Sequence, residues 1–585
     1  MFAYLKFRFA RQIRRFRREL RVVRLYVQRY FDRHIWGKWH QIRIIRRFLF
    51  IWMAVFALAF IGMSAQIANL RKAYLVAGPE VGGVYSEGLV GSVKSINPIL
   101  LTDDATSDVS RLIFSGLTRL NPSGQIEGDL ASSWEVSGDG KTYTFHIRSS
   151  AKWQDGQPVT ATDVVFTMLL IQNPDTRSPL SSSWQGVQVS ALDSKTVSFV
   201  LPNAFSPFIY ATTFGILPEH LLNGVDPQAL RVSTFNQSPV GSGPFSFVAE
   251  SPNGSNIELA PNQYYYFGKP LLDSFEFNLY PDTASMLAAY SKHQINAISR
   301  IDAGQETQVG QGTIHTMSRL DEVGLFMRTT SLVLTDTTVR TAISAAINRA
   351  KIVSLVGDDA ADGVTLPILP GQLGYSALYQ PPSYSVDEAD STLTADGWLM
   401  GPGSIRVKNG QMLKLTLATA NTGDFPKIAD LVRGELAEVG IATNIILTDT
   451  NSLEQSYIRP RNYDLLLYGI EIGPDPDVYA YWQSSQASDP GLNLSQYAST
   501  VADKELEAAR LTSDPAIREA RYEKFLATWT ADAPAVMLYM PSYLYVTDAS
   551  DLGIVSSRIG DPTDRFYGVQ KWTVNTRPTL RTLSH

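Results

Sequence analysis

From Phe48 to Leu70 the chain runs for 23 residues (FLFIWMAVFALAFIGMSAQIANL) without a charged side chain, and no other feature limits its architecture as strongly. A helix of that length is about 35 Å long, against a hydrocarbon core of about 30 Å, so the segment can cross a bilayer. Its flanks set the orientation. Residues 1–47 hold 15 Lys and Arg against Glu19 and Asp32 alone, a net charge of +13, and Arg43, Arg46 and Arg47 abut the apolar span. The positive-inside rule therefore expects 1–47 as a basic cytoplasmic segment, 48–70 as the transmembrane anchor and the rest outside the cytoplasm. A cleaved signal peptide is the alternative, with small residues from Gly62 to Ala65 as its cleavage region. No clean A-x-A site is present, and a 47-residue n-region far exceeds the usual length, so an uncleaved anchor is favoured. Within the head, Phe9, Ile13, Phe16, Leu20 and Val23 recur at helical spacing among arginines, the pattern of a basic amphipathic helix. Such a helix suits an anionic leaflet, and its charges also serve topology alone.

Residues 48–585 carry 36 basic and 54 acidic side chains, a charge of −18 that argues against a nucleic-acid partner. At 585 residues, with 44% hydrophobic and 18% charged, the chain is globular and too long for one core. It has no cysteine, which excludes disulfides, thiolate metal sites, cysteine nucleophiles and lipid attachment through an N-terminal cysteine. Catalytic signatures are missing as well. The seven histidines are scattered with no H-E-x-x-H, and Gly241-Ser242-Gly243-Pro244 lacks the frame of a nucleophile elbow. Gly140-Lys141-Thr142 has Glu135 where a phosphate-binding loop requires its first glycine. No catalytic residue, metal ligand or cofactor is assigned, and the chain is expected not to be an enzyme.

Beyond Arg71 the patterning is mixed α/β. Trp134 to Val136 and Lys141 to Arg148 alternate around Ser137-Gly138-Asp139-Gly140, predicting a hairpin, and Thr160 with Asp163 forms a capping-box pair ahead of a helix. Near the C-terminal half, Leu413 to Ala418 reads as a strand and Ile428, Leu431, Val432, Leu436 and Val439 as one helical face. Gly440 then stops that helix ahead of the strand Thr443 to Leu447. Strand, helix, strand predicts a right-handed crossover in a mostly parallel sheet.

Four ordered stretches then carry a family resemblance. They are Ile96-Asn97-Pro98 with Arg111 to Leu117; Leu130 to Trp134 through Tyr143 to Arg148, Lys152 to Gly156 and Val159 to Val164; Pro239 to Phe245 with Pro261 to Pro270; and Val339 to Ile343 with Ala346 to Arg349, followed by Tyr463 to Leu465 and Asp475 to Asp477. Together they resemble the extracytoplasmic solute-binding proteins of peptide/nickel-type ABC transporters, family 5, over about residues 75–570. The resemblance implies a two-lobed periplasmic-binding-protein-like fold (type II) with an additional inserted domain, closing around ligand like a hinge. Lobe I would be discontinuous, 71–119, 219–323 and 541–585, with the inserted domain at 120–218 and lobe II at 324–540. It further implies a monomeric, membrane-tethered substrate-binding component that delivers a peptide or other small solute to an ABC permease and its ATPase. A non-peptide solute (oligosaccharide, opine-like compound or metal chelate) stands as the alternative, and a surface hydrolase or adhesin as a third reading.

The resemblance also points to ligand contacts. An extended peptide would pair its backbone with Thr102-Asp103-Asp104 in the first lobe and Tyr468-Gly469-Ile470 in the second. Asp103 and Asp104 serve equally as caps of the following helix. Trp184 and Gln185 could pack on and hydrogen-bond the ligand, while a tryptophan there also suits a core. For the peptide α-ammonium the nearest acid ahead of Pro474-Asp475-Pro476 is Glu471, with Asp475 second and a turn-capping role as the competing reading.

Overall fold

The computed structural model describes residues 26, 29–30, 39–301, 309–310, 312–357, 361–548 and 553–580. The amphipathic helix expected over Phe9 to Val23 lies outside them. Two compact units make up the chain, Met1–Gly78 with Thr576–His585, and Pro79–Asn575.

In the first unit a single helix, Trp39–Tyr74, contains the apolar span. Its segment Phe48–Ile67 has a mean hydropathy of 2.3 and is not covered by protein. Phe50, Phe56, Leu58 and Phe60 stand exposed around it, an all-round apolar surface that water disfavours and lipid accepts. It is the one helix among the described residues long and apolar enough to cross a membrane.

The second unit is organised by its longest strand, Ala535–Thr547 (AVMLYMPSYLYVT). A nearly continuous apolar and aromatic run predicts a strand covered on both faces, and it is buried except at Pro541 and Ser542. Those two residues mark where it passes from one lobe to the other. Ala535 to Tyr539 pair antiparallel with Phe326 to Val323, whereas Ser542 to Thr547 pair antiparallel with Ser318 to Thr313. On the lobe I side the sheet continues through Ala297–Ile301, Val84–Val90 and Ser274–Tyr280. On the lobe II side it continues through Asp321–Met327, Leu465–Glu471, Lys414–Ala420 and Ala442–Thr448.

Hydrophobic packing divides at the same places. The clusters around Tyr85, Phe145, Phe275 and Tyr290 draw on residues up to Met317 and again from Tyr543 onward. Those around Leu325, Leu417, Phe326 and Trp529 draw on Leu320 to Met540. The chain thus crosses between lobes near 318–320 and again near 541–542.

Local elements follow their sequence signals. Ala131–Val136 and Thr142–Ile147 form the hairpin, with Tyr143, Phe145 and Ile147 inward. They belong to a four-stranded sheet with Thr196–Val200 and Gln188–Ala191. Helix Ala161–Gln172 begins with the Thr160/Asp163 capping box, the Thr160 N–H donating to Asp163 at 2.7 Å. Lys414–Ala420 and Ala442–Thr448 lie parallel, joined by helix Phe425–Glu438, which buries Ile428, Val432 and Leu436. Gly440 follows that helix at φ +78°, a backbone that a side chain would strain.

Candidate functional site

The cleft between the lobes holds two cavities that meet at one carboxylate. A cavity of about 500 Å³ is lined by Ser107, Ser110 and Arg111 of helix Asp104–Ile113, by Trp184 and Tyr210, by Asp561 and Asp564, and by Glu471. A second, of about 910 Å³, is lined by Arg319, Asp321, Asp424, Phe425, Tyr539, Tyr543 and again Glu471.

Glu471 is the last residue of Leu465–Glu471, whose run ends ahead of Gly473 (φ +76°) and Pro474. Its carbonyl accepts the Tyr481 hydroxyl at 2.5 Å, while the side chain is exposed. Directly opposite it in the antiparallel register stands Asp321, so two carboxylates share one face. Burial pushes Asp321 up to about 6, Glu471 adds to that, and Arg319, 2.5 Å away, opposes it. Across the first cavity, burial likewise raises Asp564 to about 6 against the pull of Arg111 and of the Asp561 and Gly560 N–H groups.

Tyr468, Gly469 and Ile470 occupy the same strand. Its Asp321–Met327 side is fully paired, whereas its Lys414–Ala420 side is paired only at Leu465 and Leu466. From Tyr468 onward, no further strand among the described residues pairs with that edge. Gly469 and Ile470 line the larger cavity.

Of the other residues singled out in the sequence, Asp103, Asp104, Asp475 and Trp184 have structural partners. Asp103 caps helix Asp104–Ile113, accepting the Thr106 N–H and hydroxyl, both at 2.8 Å. Asp104 pairs with Arg300 at 3.0 Å, and Thr102 is exposed. None of these three lines either cavity; Leu101 before the helix and Ser107, Ser110 and Arg111 further along it do. Asp475 is 6% exposed and paired with Arg518 at 2.6 Å, and Arg518 also donates to the Tyr522 hydroxyl at 3.0 Å. Trp184 is 2% exposed and packs on Phe208 and Phe214 with ring centroids 5.2 and 5.4 Å away, so it is a core residue at the cavity wall. Gln185 lines neither of these cavities and faces a third.

A buried network fixes the lobe I wall. Arg565 reaches Glu87 at 2.6 Å and Asp108 at 2.8 Å, all three side chains fully buried, and the Tyr545 hydroxyl donates to Glu87 at 2.7 Å. Burial pushes Glu87 upward against the pull of Arg565. Asp108 lies in the helix that carries Ser107, Ser110 and Arg111, so the network holds that helix to the sheet. Arg111 was visible within the Arg111 to Leu117 stretch, but its cavity role was not. Asp321 and Asp564 carried no signal of a cleft role: Arg319 and the Asp561 and Gly560 N–H groups are close in sequence, but Glu471 and Arg111, which face them, come from distant segments.

Two α/β lobes joined by two chain crossings, with cavities between them, define the two-lobed binding proteins of the periplasmic type. Residues 125–491 match the family model described as bacterial extracellular solute-binding proteins, family 5 Middle, and the chain belongs to that family. It is similar to the oligopeptide-binding protein AppA of Bacillus subtilis, 28% identical over 504 residues that cover 84% of this chain and 92% of that protein. The structure of AppA from Bacillus subtilis in complex with a nonapeptide aligns with a TM-score of 0.62 at 27% identity, covering 85% of this chain and all of that one. NikZ from Campylobacter jejuni in complex with Ni(L-His) aligns with a TM-score of 0.65 at 25% identity, covering 84% and 99%.

Proposed function

We propose that this chain is the membrane-anchored substrate-binding component of an ABC importer, that it captures peptides between its lobes, and that it hands them to the permease. Glu471 receives the peptide α-ammonium, and the peptide backbone extends along Tyr468-Gly469-Ile470. The observation that carries the reading is the juxtaposition of an exposed carboxylate, common to both cavities, with a strand edge open from Tyr468 onward. An added ligand strand satisfies such an edge through its backbone and leaves side chains free to vary. The similarity to an oligopeptide-binding protein supports the same ligand class. The exposed apolar helix Phe48–Ile67 supports tethering, with the basic head inside and the binding unit outside. The domain division 71–119, 219–323 and 541–585 for lobe I, 120–218 for the insertion and 324–540 for lobe II belongs to this reading; the separate cores support the division between the lobes, while the insertion shares its core with lobe I.

Calorimetry on the full chain tests the site. Glu471→Gln is expected to weaken a free-amine peptide at least tenfold, and N-acetylation to cost affinity in the wild type but not in the variant. Equal binding of acetylated and free peptides by the wild type refutes the α-amine role and favours a non-peptide solute. For the anchor, protease added to intact cells should digest the body and spare a tagged N-terminus; a mature N-terminus near residue 65 would refute it.

A further inference from the structure

The short turn Ser181–Trp184 forms a partition. On one side is the 500 Å³ cleft cavity; on the other is a third cavity, of about 690 Å³, and Ser183 and Ala211 line both. This third cavity lies between the inserted four-stranded segment and lobe II, with Val187, Phe205 and Phe208 on one wall and Tyr479, Arg510 and Leu511 on the other. The walls already touch nearby, where the Ser206 hydroxyl donates to the Ala509 carbonyl at 3.4 Å. Its volume falls within the range of about 300–1,000 Å³ usual for ligand pockets.

The chemistry of the chamber is set by what is already engaged. Arg510 pairs with Asp477 at 2.8 Å and lies over the rings of Tyr479 at 4.2 Å and Phe205 at 4.9 Å. Glu507 accepts the Gln483 amide at 3.2 Å. What remains for an occupant is apolar and aromatic wall, with the exposed amides of Gln185 and Asn203 at the margin. Such a lining rewards burial of apolar side chains and offers little to a charged one.

We infer that this chamber is a second ligand compartment: an oligopeptide anchored by its amine at Glu471 passes Ser183 and Ala211 and buries apolar side chains of its distal part there. The inference rests on the peptide reading above and adds to it a substrate class, peptides too long for the cleft alone with apolar residues toward their carboxyl end. The two cavities adjoin, with Ser183 and Ala211 lining both, and this adjacency is what assigns the occupant. Gln185 thereby gains a ligand role different from the one its neighbour Trp184 pointed to.

The test uses the full chain in nanodiscs and three peptides: a free-amine tetrapeptide, and the same tetrapeptide extended by three leucines or by three serines. Wild type is expected to bind the leucine extension at least tenfold more tightly than the serine extension. Leu511→Trp, at a position 57% exposed and therefore tolerant of substitution, should erase that gain while leaving tetrapeptide affinity unchanged. Ala204→Trp fills the same chamber from the opposite wall and should do likewise. Equal affinities for the two extensions in wild type, or a leucine gain that survives both tryptophan variants, overturns the compartment while the Glu471 site stands. Failure of the tetrapeptide itself to bind overturns the receptor reading and this inference with it.

Discussion

Replacing Arg565 with leucine would remove the cation from between Glu87 and Asp108, two carboxylates buried as completely as the guanidinium itself. Asp108 keeps a second cation, Arg300 at 3.0 Å, but Glu87 is left with the Tyr545 hydroxyl and is cheaper to protonate than to keep charged in the core. Holding Glu87 protonated at pH 7 costs at most about 1.36 kcal/mol per pKa unit below 7, roughly 4 kcal/mol. The loss of the arginine's own desolvation penalty offsets part of this, so a net destabilisation of about 3 kcal/mol is expected. The sign of the pH dependence follows directly. A carboxyl held neutral in the fold binds more protons than the same group in the unfolded chain, so stability of the variant falls as pH rises. At pH 5 the ceiling drops to about 1 kcal/mol, and the penalty relative to wild type should shrink by about 2 kcal/mol. Denaturant unfolding of the full chain, followed by tryptophan fluorescence, reports it, since Trp572 packs 6.0 Å from Phe566 and 6.4 Å from Tyr545. A penalty below about 1 kcal/mol at pH 7, or one that is the same at both pH values, refutes the reasoning.

Asp475→Asn should destabilise by about 3 kcal/mol or more because Arg518 stays buried without its counter-charge, whereas Glu471→Gln, at an exposed strand end, should change the melting temperature little; equal effects would erase the distinction between a structural and a ligand-binding acid. Asp103→Ala removes the cap of helix Asp104–Ile113 and should cost about 0.5–2 kcal/mol in denaturant unfolding, and no loss would mean that the cap is not formed. Asp321 and Asp564 both titrate near 6, so lowering the pH from 7 to 5 should neutralise them and weaken binding of a cationic peptide. Asp321→Asn should flatten part of that profile in calorimetry, and an unchanged profile would exclude Asp321 from it. Hinge closure should appear in solution scattering as a smaller radius of gyration under saturating peptide, and identical profiles would count against it.

What the sequence determined by itself is local or compositional. The charge-free span from Phe48 to Leu70 needs no partner to be recognised, because crossing a bilayer depends on length and polarity alone. The Ser137–Gly140 turn, the Thr160/Asp163 cap and the amphipathic face of Phe425–Glu438 are equally legible, since their determinants lie within a few residues of one another. Tertiary structure decided the rest. Glu87 meets Arg565 across 478 residues of chain, and nothing near either position announces the other. Asp475 and Glu471 look alike in sequence, four residues apart in one acidic, proline-rich stretch, yet Arg518 claims the first and the cleft exposes the second. Trp184 and Gln185 are adjacent in sequence but divided by a wall, one in a core of rings and the other in a separate chamber. Burial and partner choice are properties of the assembled surface, and a side chain's chemistry becomes fixed only when distant segments have closed around it.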